Sequence, residues 1–457
     1  MAQKGKVMKQ ASGKRNGDPP NAKNRNIRYF TNKEFHGRIQ RVRQKMADRK
    51  IDACIITVPE NIYYITGLNH QGYFAYTSVI LPLEKEPVLI IRAMEKLVVQ
   101  DMVIPTVRFF PYSDGIDPLP PPKDPEEDIT LSARTESAES GGLRPSSMSL
   151  GISVQTNKGE PTDFSNPAKV TCQALRELGL ASGRVAFEKC SSFMPYRVAE
   201  GFIEGMPDVT WLDAGDLIND CRIIQSPAEL QCTYKVAEIS DSMIMSAIAM
   251  AGRGVPVKDV AAQVYSSMIQ RGGTYPAFVP LIRSTRTLGH EHGTWDDDVL
   301  QDEDLLFLEM SGCHWRYHAP VGRLVHIGSA PKSAEKATKA CVEAQHNVVD
   351  AIRPGVTANS VYQVWKKTID KYGFDYYHRH HCGYLVGIGF PPSWSGSGVP
   401  RSLRNGTDME IKEGMVFHLL SWLIRTGEGD AFVSDTVVVT KNGCEFLTKA
   451  PRNLIVR

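Results

Sequence analysis

Apolar positions along the chain change period several times, and each change marks an element. From Asn32 to Lys50, Phe35, Ile39, Val42 and Met46 recur at helical spacing, so the pattern predicts a helix. The following run IDACIITV is apolar throughout and reads as a buried strand. SVILPL and PVLIIR, joined by the charged turn EKE, read as a strand pair. Further on, the pattern predicts a helix near Asn166–Leu180, a strand at RVAFE and a helix near Met194–Gly205. A long helix is expected to open at Ser226-Pro227, with proline in its first turn. Gly254-Val255, Val260, Val264, Met268 and Gly272 return 101 positions later as Gly355-Val356, Val361, Trp365, Ile369 and Gly373. Both copies read as Gly-Val, an amphipathic helix and a glycine stop. Two such units on one sheet would leave a cleft between pseudo-symmetric halves, unless the pattern recurs by chance.

A chain of 457 residues exceeds what one core normally organises, which implies two domains. The expected division is a basic disordered tail over 1–28, an N-terminal domain over 30–218 with a flexible Pro/Ser/Glu-rich insertion at about 114–149, and a C-terminal domain over 219–457. The net charge of +2 gives no reason to expect nucleic acid or a membrane surface as partner. Nine scattered cysteines without a C-x-x-C pair read as reduced thiols. The first residues lack the apolar stretch of a secretory signal, so a cytoplasmic location is expected.

Arg222 to Glu229 (RIIQSPAE) fits R-x-I-[IKQ]-S-P-x-E, which opens the catalytic domain of the creatinase, prolidase and aminopeptidase P family. With the repeat and the terminal SDTVVVTKNGCEFLT, it makes residues 30–457 resemble that family. The resemblance implies an α/β (α+β) chain, a creatinase-type N-terminal domain followed by a pita-bread domain, and a homodimer. Family peptidases bind two metal ions through two Asp, one His and two Glu. Here those positions fall on Glu309, Pro320, Tyr384, His418 and Ser434. Proline has no side-chain donor, and four of the five suit hard divalent ions poorly. No metal and no other cofactor is therefore expected. A shift of one or two residues in the alignment would bring Asp435 or His381 to ligand positions, but would supply no carboxylate near Pro320.

GHEHGTWDD, LEMSGCHWRYHAP, HHCGYLVGIGFPPSW and GMVFHLLSWL further resemble the ectoine hydrolase and creatinase branch, which works without the metal pair. That likeness implies hydrolysis of a C–N bond in a small cationic or zwitterionic compatible solute. Another branch suggests an alternative, β-elimination from dimethylsulfoniopropionate. A peptidase-like or a non-catalytic binding role is a third reading.

His292, Glu309, His418 and Tyr384 are the candidate proton-handling groups. His292 is alternatively a solvated loop residue, Glu309 a structural ion pair, and His418 and Tyr384 satisfied core groups. Arg323 is the candidate clamp for a substrate carboxylate, or else the partner of Glu309. Trp394, Trp295, His381 and Asp435 complete the expected substrate-binding set. Each of the aromatic residues reads equally as plain core.

Overall fold

In the computed structural model, the described residues are 27–112, 117–118, 152–153, 165–396 and 400–457. Of the expected basic tail only Ile27 and Arg28 are among them, and the body of the expected insertion lies outside. At its near edge, Asp117–Pro118 pairs with Ile152–Ser153.

The helices are α1 (Asn32–Asp48), α2 (Pro59–Thr66), α3 (Lys96–Met102), α4 (Ser165–Glu177), α5 (Tyr196–Gly205), α6 (Asn219–Arg222), α7 (Pro227–Met250), α8 (Val257–Gln270), α9 (Lys332–Ala351) and α10 (Ala358–Lys371). The strands of the N-terminal half are β1 (Ala53–Ile56), β2 (Ser78–Pro82), β3 (Val88–Arg92), β4 (Arg108–Tyr112), β5 (Asp117–Pro118), β6 (Ile152–Ser153), β7 (Arg184–Phe187) and β8 (Thr210–Asp213). Those of the C-terminal half are β9 (Leu281–Ser284), β10 (Leu305–Met310), β11 (Val321–His326), β12 (Gly383–Leu385), β13 (Val416–Leu423), β14 (Ala431–Val439), β15 (Cys444–Phe446) and β16 (Ile455–Val456). PENIYYIT forms α2, with proline in the first turn and Gly67 at φ 83° as its stop.

The N-terminal sheet has the order β4-β3-β2-β1-β7-β8 and the C-terminal one β12-β13-β14-β11-β10-β9. The repeat is real in three dimensions. Helices α8 and α10 begin and end at the same 101-residue offset, and Gly272 and Gly373 close them at φ 83° and 82°. Helix α8 pairs with α7 and α10 with α9, so two helical hairpins cover one face of the C-terminal sheet. The other face is left for the cleft.

The Arg222–Glu229 signature welds the two halves. Ser226 and Glu229 form a reciprocal capping box at the start of α7, satisfying two orphan N–H groups. The same Glu229 accepts from the Tyr317 hydroxyl at 2.7 Å and faces the fully buried Arg38 of α1 at 3.6 Å. Arg222 Nε donates to Asn61 of α2 at 2.6 Å. Among the described residues, no helix is long and apolar enough to cross a membrane.

Candidate active site

Strand alternation decides which side chains meet. Across β9, β10, β11, β14, β13 and β12, directly opposed residues are Leu281, Glu309, Gly322, Ser434 and Leu420 in one row, with Arg283, Phe307, Leu324, Phe432 and Trp422 in the next. His418 opposes Tyr384. All of these face the side away from the helical hairpins. Glu309, Tyr384, His418 and Ser434 thus share one surface.

They form a chain of hydrogen bonds. An indole only donates, so Trp394 Nε1 gives its proton to the Tyr384 hydroxyl oxygen at 2.9 Å. The Tyr384 proton is then available to His418 Nδ1 at 3.0 Å. Burial first, and neighbouring His381 second, push His418 down to about 3, so the ring is neutral at pH 7. With Nδ1 accepting, its one proton sits on Nε2. That atom is 2.9 Å from Ser434 Oγ and 3.8 Å from Glu309 Oε1. A neutral ring makes the second approach a contact between dipole and carboxyl, not an ion pair.

Burial pushes Glu309 up to about 7, a rise that Arg283 and Arg379 oppose and exposed Glu291 reinforces. Burial likewise drives the Tyr384 hydroxyl far above the usual phenol range. The cluster therefore holds one carboxyl balanced near neutrality, surrounded by groups that keep their protons or refuse more. Such a carboxyl is suited to take and return a proton.

The surrounding loops are held by residues of the LEMSGCHWRYHAP motif. Trp315 and Arg316 sit at φ 49° and 68°, a costly conformation for non-glycine residues. Arg316 holds it in place by donating to the Gly389 carbonyl at 3.0 and 2.7 Å and to the Tyr275 carbonyl at 3.0 Å. Gly389 leads into the loop carrying Trp394. His318 is fully buried, accepts from the Ala277 N–H at 3.0 Å and is held down to about 3 by burial and by Arg316. Arg316 and His318 Nε2 thus fix backbone, while the buried His318 Nδ1 has no partner.

His381 lies edge-on to Tyr384 at 5.5 Å and belongs to the cluster. His292 is exposed at the mouth. It stacks on Phe278 at 5.8 Å, and Phe278 in turn meets Trp394 at 4.9 Å. Three expected substrate contacts are corrected. Arg323 points to the opposite side of β11, where it donates to the carbonyls of Gly322, Ser434, Ala450 and Pro451 and to Asp435 at 3.1 Å. Both its carboxylate-clamp role and its pairing with Glu309 fail, because no donor is left and it faces away. Asp435 is likewise taken up by Arg323, Arg452 and Thr448. Trp295 packs edge-on against Tyr265 of α8 at 5.7 Å, in the helical layer instead of the cleft.

Two residues of the cleft were missed. Arg283 and Arg379 flank Trp422, 5.9 and 4.3 Å from its ring centre, and Arg283 lies 4.0 Å from that of Phe307. LIRSTR resembles the start of a polar turn, which hides Arg283. The usable signal was the alternation placing it in step with Leu281.

A dinuclear metal site does not fit this donor set. Pro320 offers only its backbone, whose carbonyl accepts from Thr436 Oγ1 at 2.7 Å, and Glu309 is the lone carboxyl of the five positions. Among the described residues, no three His, Cys, Asp or Glu side chains are grouped to hold an ion.

Comparison with known proteins defines the class. The Creatinase/Prolidase N-terminal domain profile matches residues 38–224, and that of Metallopeptidase family M24 matches 231–441. The chain belongs to this creatinase/prolidase family and has its pita-bread fold. It is 27% identical to an ectoine hydrolase of Halomonas elongata over 94% of this chain and 98% of the relative. It is 30% identical to an Xaa-Pro dipeptidase of Pyrococcus horikoshii over 58% of this chain and 73% of the relative. Among solved structures, a prolidase from Pyrococcus horikoshii superposes with a TM-score of 0.69 at 22% identity, covering 92% of this chain and all of the other. The family relatives are hydrolases by name, and this chain is a hydrolase of that family.

Proposed function

We propose that this protein hydrolyses a C–N bond of a small cationic or zwitterionic compatible solute without a metal ion, with ectoine the first substrate to try. The observation that carries the reading is the Glu309–His418–Tyr384–Ser434 cluster, formed by residues at the positions that the resemblance assigns to the family's metal ligands. Ionised Glu309 takes a proton from a water as the water oxygen bonds to the amidine carbon. The C=N electron pair moves onto nitrogen as the oxygen bonds; the protonated carboxyl then gives its proton to the departing nitrogen as the C–N bond breaks, and the proton of the new hydroxyl returns to Glu309 and passes to the released amine as the C=O bond forms. His418 Nε2–H donates to Ser434 Oγ, which leaves the Ser434 hydroxyl proton to be donated to the attacking oxygen. Tyr384 and Trp394 hold the imidazole in that tautomer, and His292 covers the mouth. The implied homodimer and cytoplasmic location belong to this reading.

A second reading, cleavage of Xaa-Pro dipeptides, is favoured by the 30% identity with the Pyrococcus horikoshii dipeptidase. Steady-state assays on osmolytes and Xaa-Pro dipeptides, run before and after dialysis against chelator, separate the two. Glu309→Gln is expected to lower kcat on the osmolyte by about a hundredfold or more, the usual share of general acid–base catalysis. Solvent oxygen-18 should enter the product, which elimination would not allow. Chelator-sensitive dipeptidase activity with two metal ions per subunit would overturn the reading.

A further inference from the structure

The cleft contains two guanidinium groups whose hydrogen-bonding capacity is largely unused. Arg283 is completely buried. Its Nη1 donates to the His290 carbonyl, while Nε and Nη2 have no partner. Arg379, half-buried on the segment before β12, has a buried Nε that is equally unpartnered. Among the described residues, neither has a carboxylate within ion-pair distance, although Glu309 and Glu291 are near enough to bear on Arg283 electrostatically. What the two do share is the Trp422 ring and, for Arg283, Phe307.

Burying a charged group without hydrogen bonds costs several kcal/mol, and aromatic faces return only about 0.5–2 of them. Arg323, elsewhere on the same sheet, shows what a structural arginine looks like here, with every donor engaged. Arg283 is different in kind. Its unused Nε and Nη2 are adjacent on one edge of the guanidinium, the edge that matches the two oxygens of a carboxylate. The register places it in the row next to Glu309, on the same side of the sheet. A small molecule with an anionic group at Arg283 would therefore present its other end to Glu309.

We propose that Arg283 and Arg379 form the carboxylate subsite of this cleft, so that the protein selects small zwitterions carrying a carboxylate over their uncharged or purely cationic analogues. The inference rests on the cleft being the site of the proposed hydrolysis, and it reassigns the carboxylate-binding role from Arg323. The loop from His290 to Gly293 runs beside Arg283: the His290 carbonyl accepts from Nη1, and a Cβ added at Gly293 would lie 3.6 Å from Arg283 Cδ.

The test is binding, read independently of turnover. Ectoine, proline, glycine betaine and acetate are each titrated against the matching amide by calorimetry on the full-length protein. In the wild type at least one acid is expected to bind about tenfold or more tighter than its amide, the scale of a charge-assisted hydrogen bond. Arg379→Gln, at a half-buried position, should remove most of that preference without lowering affinity for the amide. Arg283→Lys keeps the charge but loses the fork and should weaken it. Glu309→Gln should keep the preference even where turnover is lost. The proposal is overturned if no acid binds better than its amide, or if Arg379→Gln retains the full preference. Acid preference without turnover of any osmolyte would sink the hydrolytic reading and spare the subsite. Turnover with no acid preference would do the reverse.

Discussion

Arg323 and Arg283 sit two strands apart in the same sheet, both buried, and they differ in almost everything else. Arg323 faces the helical side, and its guanidinium engages four carbonyls and Asp435. Arg283 faces the cleft with one carbonyl and two aromatic rings for company. One arginine is saturated and builds the fold; the other is held underpaired at the cost of stability. The pairing state of a buried charge, more than its burial, separates scaffold from site in this molecule.

The largest expected effect comes from breaking the saturated network. Arg323→Met strands four carbonyls and strips Asp435 of a partner, and should cost about 3–5 kcal/mol in urea unfolding. Arg283→Met removes an underpaired charge and should leave stability unchanged or raise it by about 1–4 kcal/mol. Equal losses for the two would dissolve the contrast.

The next effect is a pH slope. Folding raises Glu309 from the ordinary 4.5 to about 7, so between those values the native state binds a proton that the unfolded chain releases. Stability is therefore lost as pH rises from about 4.5 through 7, by roughly 3 kcal/mol in all. Glu309→Gln should lack this slope, which makes it the more stable protein at pH 8 and equal to wild type near pH 4.5. Parallel curves of unfolding free energy against pH for the two proteins would contradict the assignment.

The smallest effect concerns the cationic side of the cleft. Because Arg379 holds the Glu309 carboxyl lower than burial alone would, Arg379→Gln should shift the ascending limb of kcat/KM, expected near pH 7, upward by less than about one unit. A downward shift would mean that the two groups do not share one field.

Much of this was legible in the chain. The 101-residue echo and the Ser226-Pro227 start marked α7, α8 and α10, because a glycine stop and an amphipathic period are local properties. Glu309, Tyr384 and His418 were singled out by the resemblance to the family's motifs, and strand alternation puts them on one face of the sheet. Local pattern does not say which face of a strand turns inward, and this is where Arg323 and Asp435 were misread. One position of register separates Ser434 in the cleft from Asp435 behind it. Trp295 failed for a related reason, since closeness in sequence to His292 says little about which layer a loop residue enters.

Glu229 at the head of α7 has a consequence for biosynthesis. The ribosome releases Arg38 long before Glu229 and Tyr317, the two residues that enclose it in the finished protein. Domains commonly fold as they emerge, the N-terminal one first. Here the domain made first supplies one counter-charge of its own, Glu34 at 3.2 Å, and Glu229 and Tyr317 complete the surroundings of Arg38 only after the C-terminal half has been synthesised.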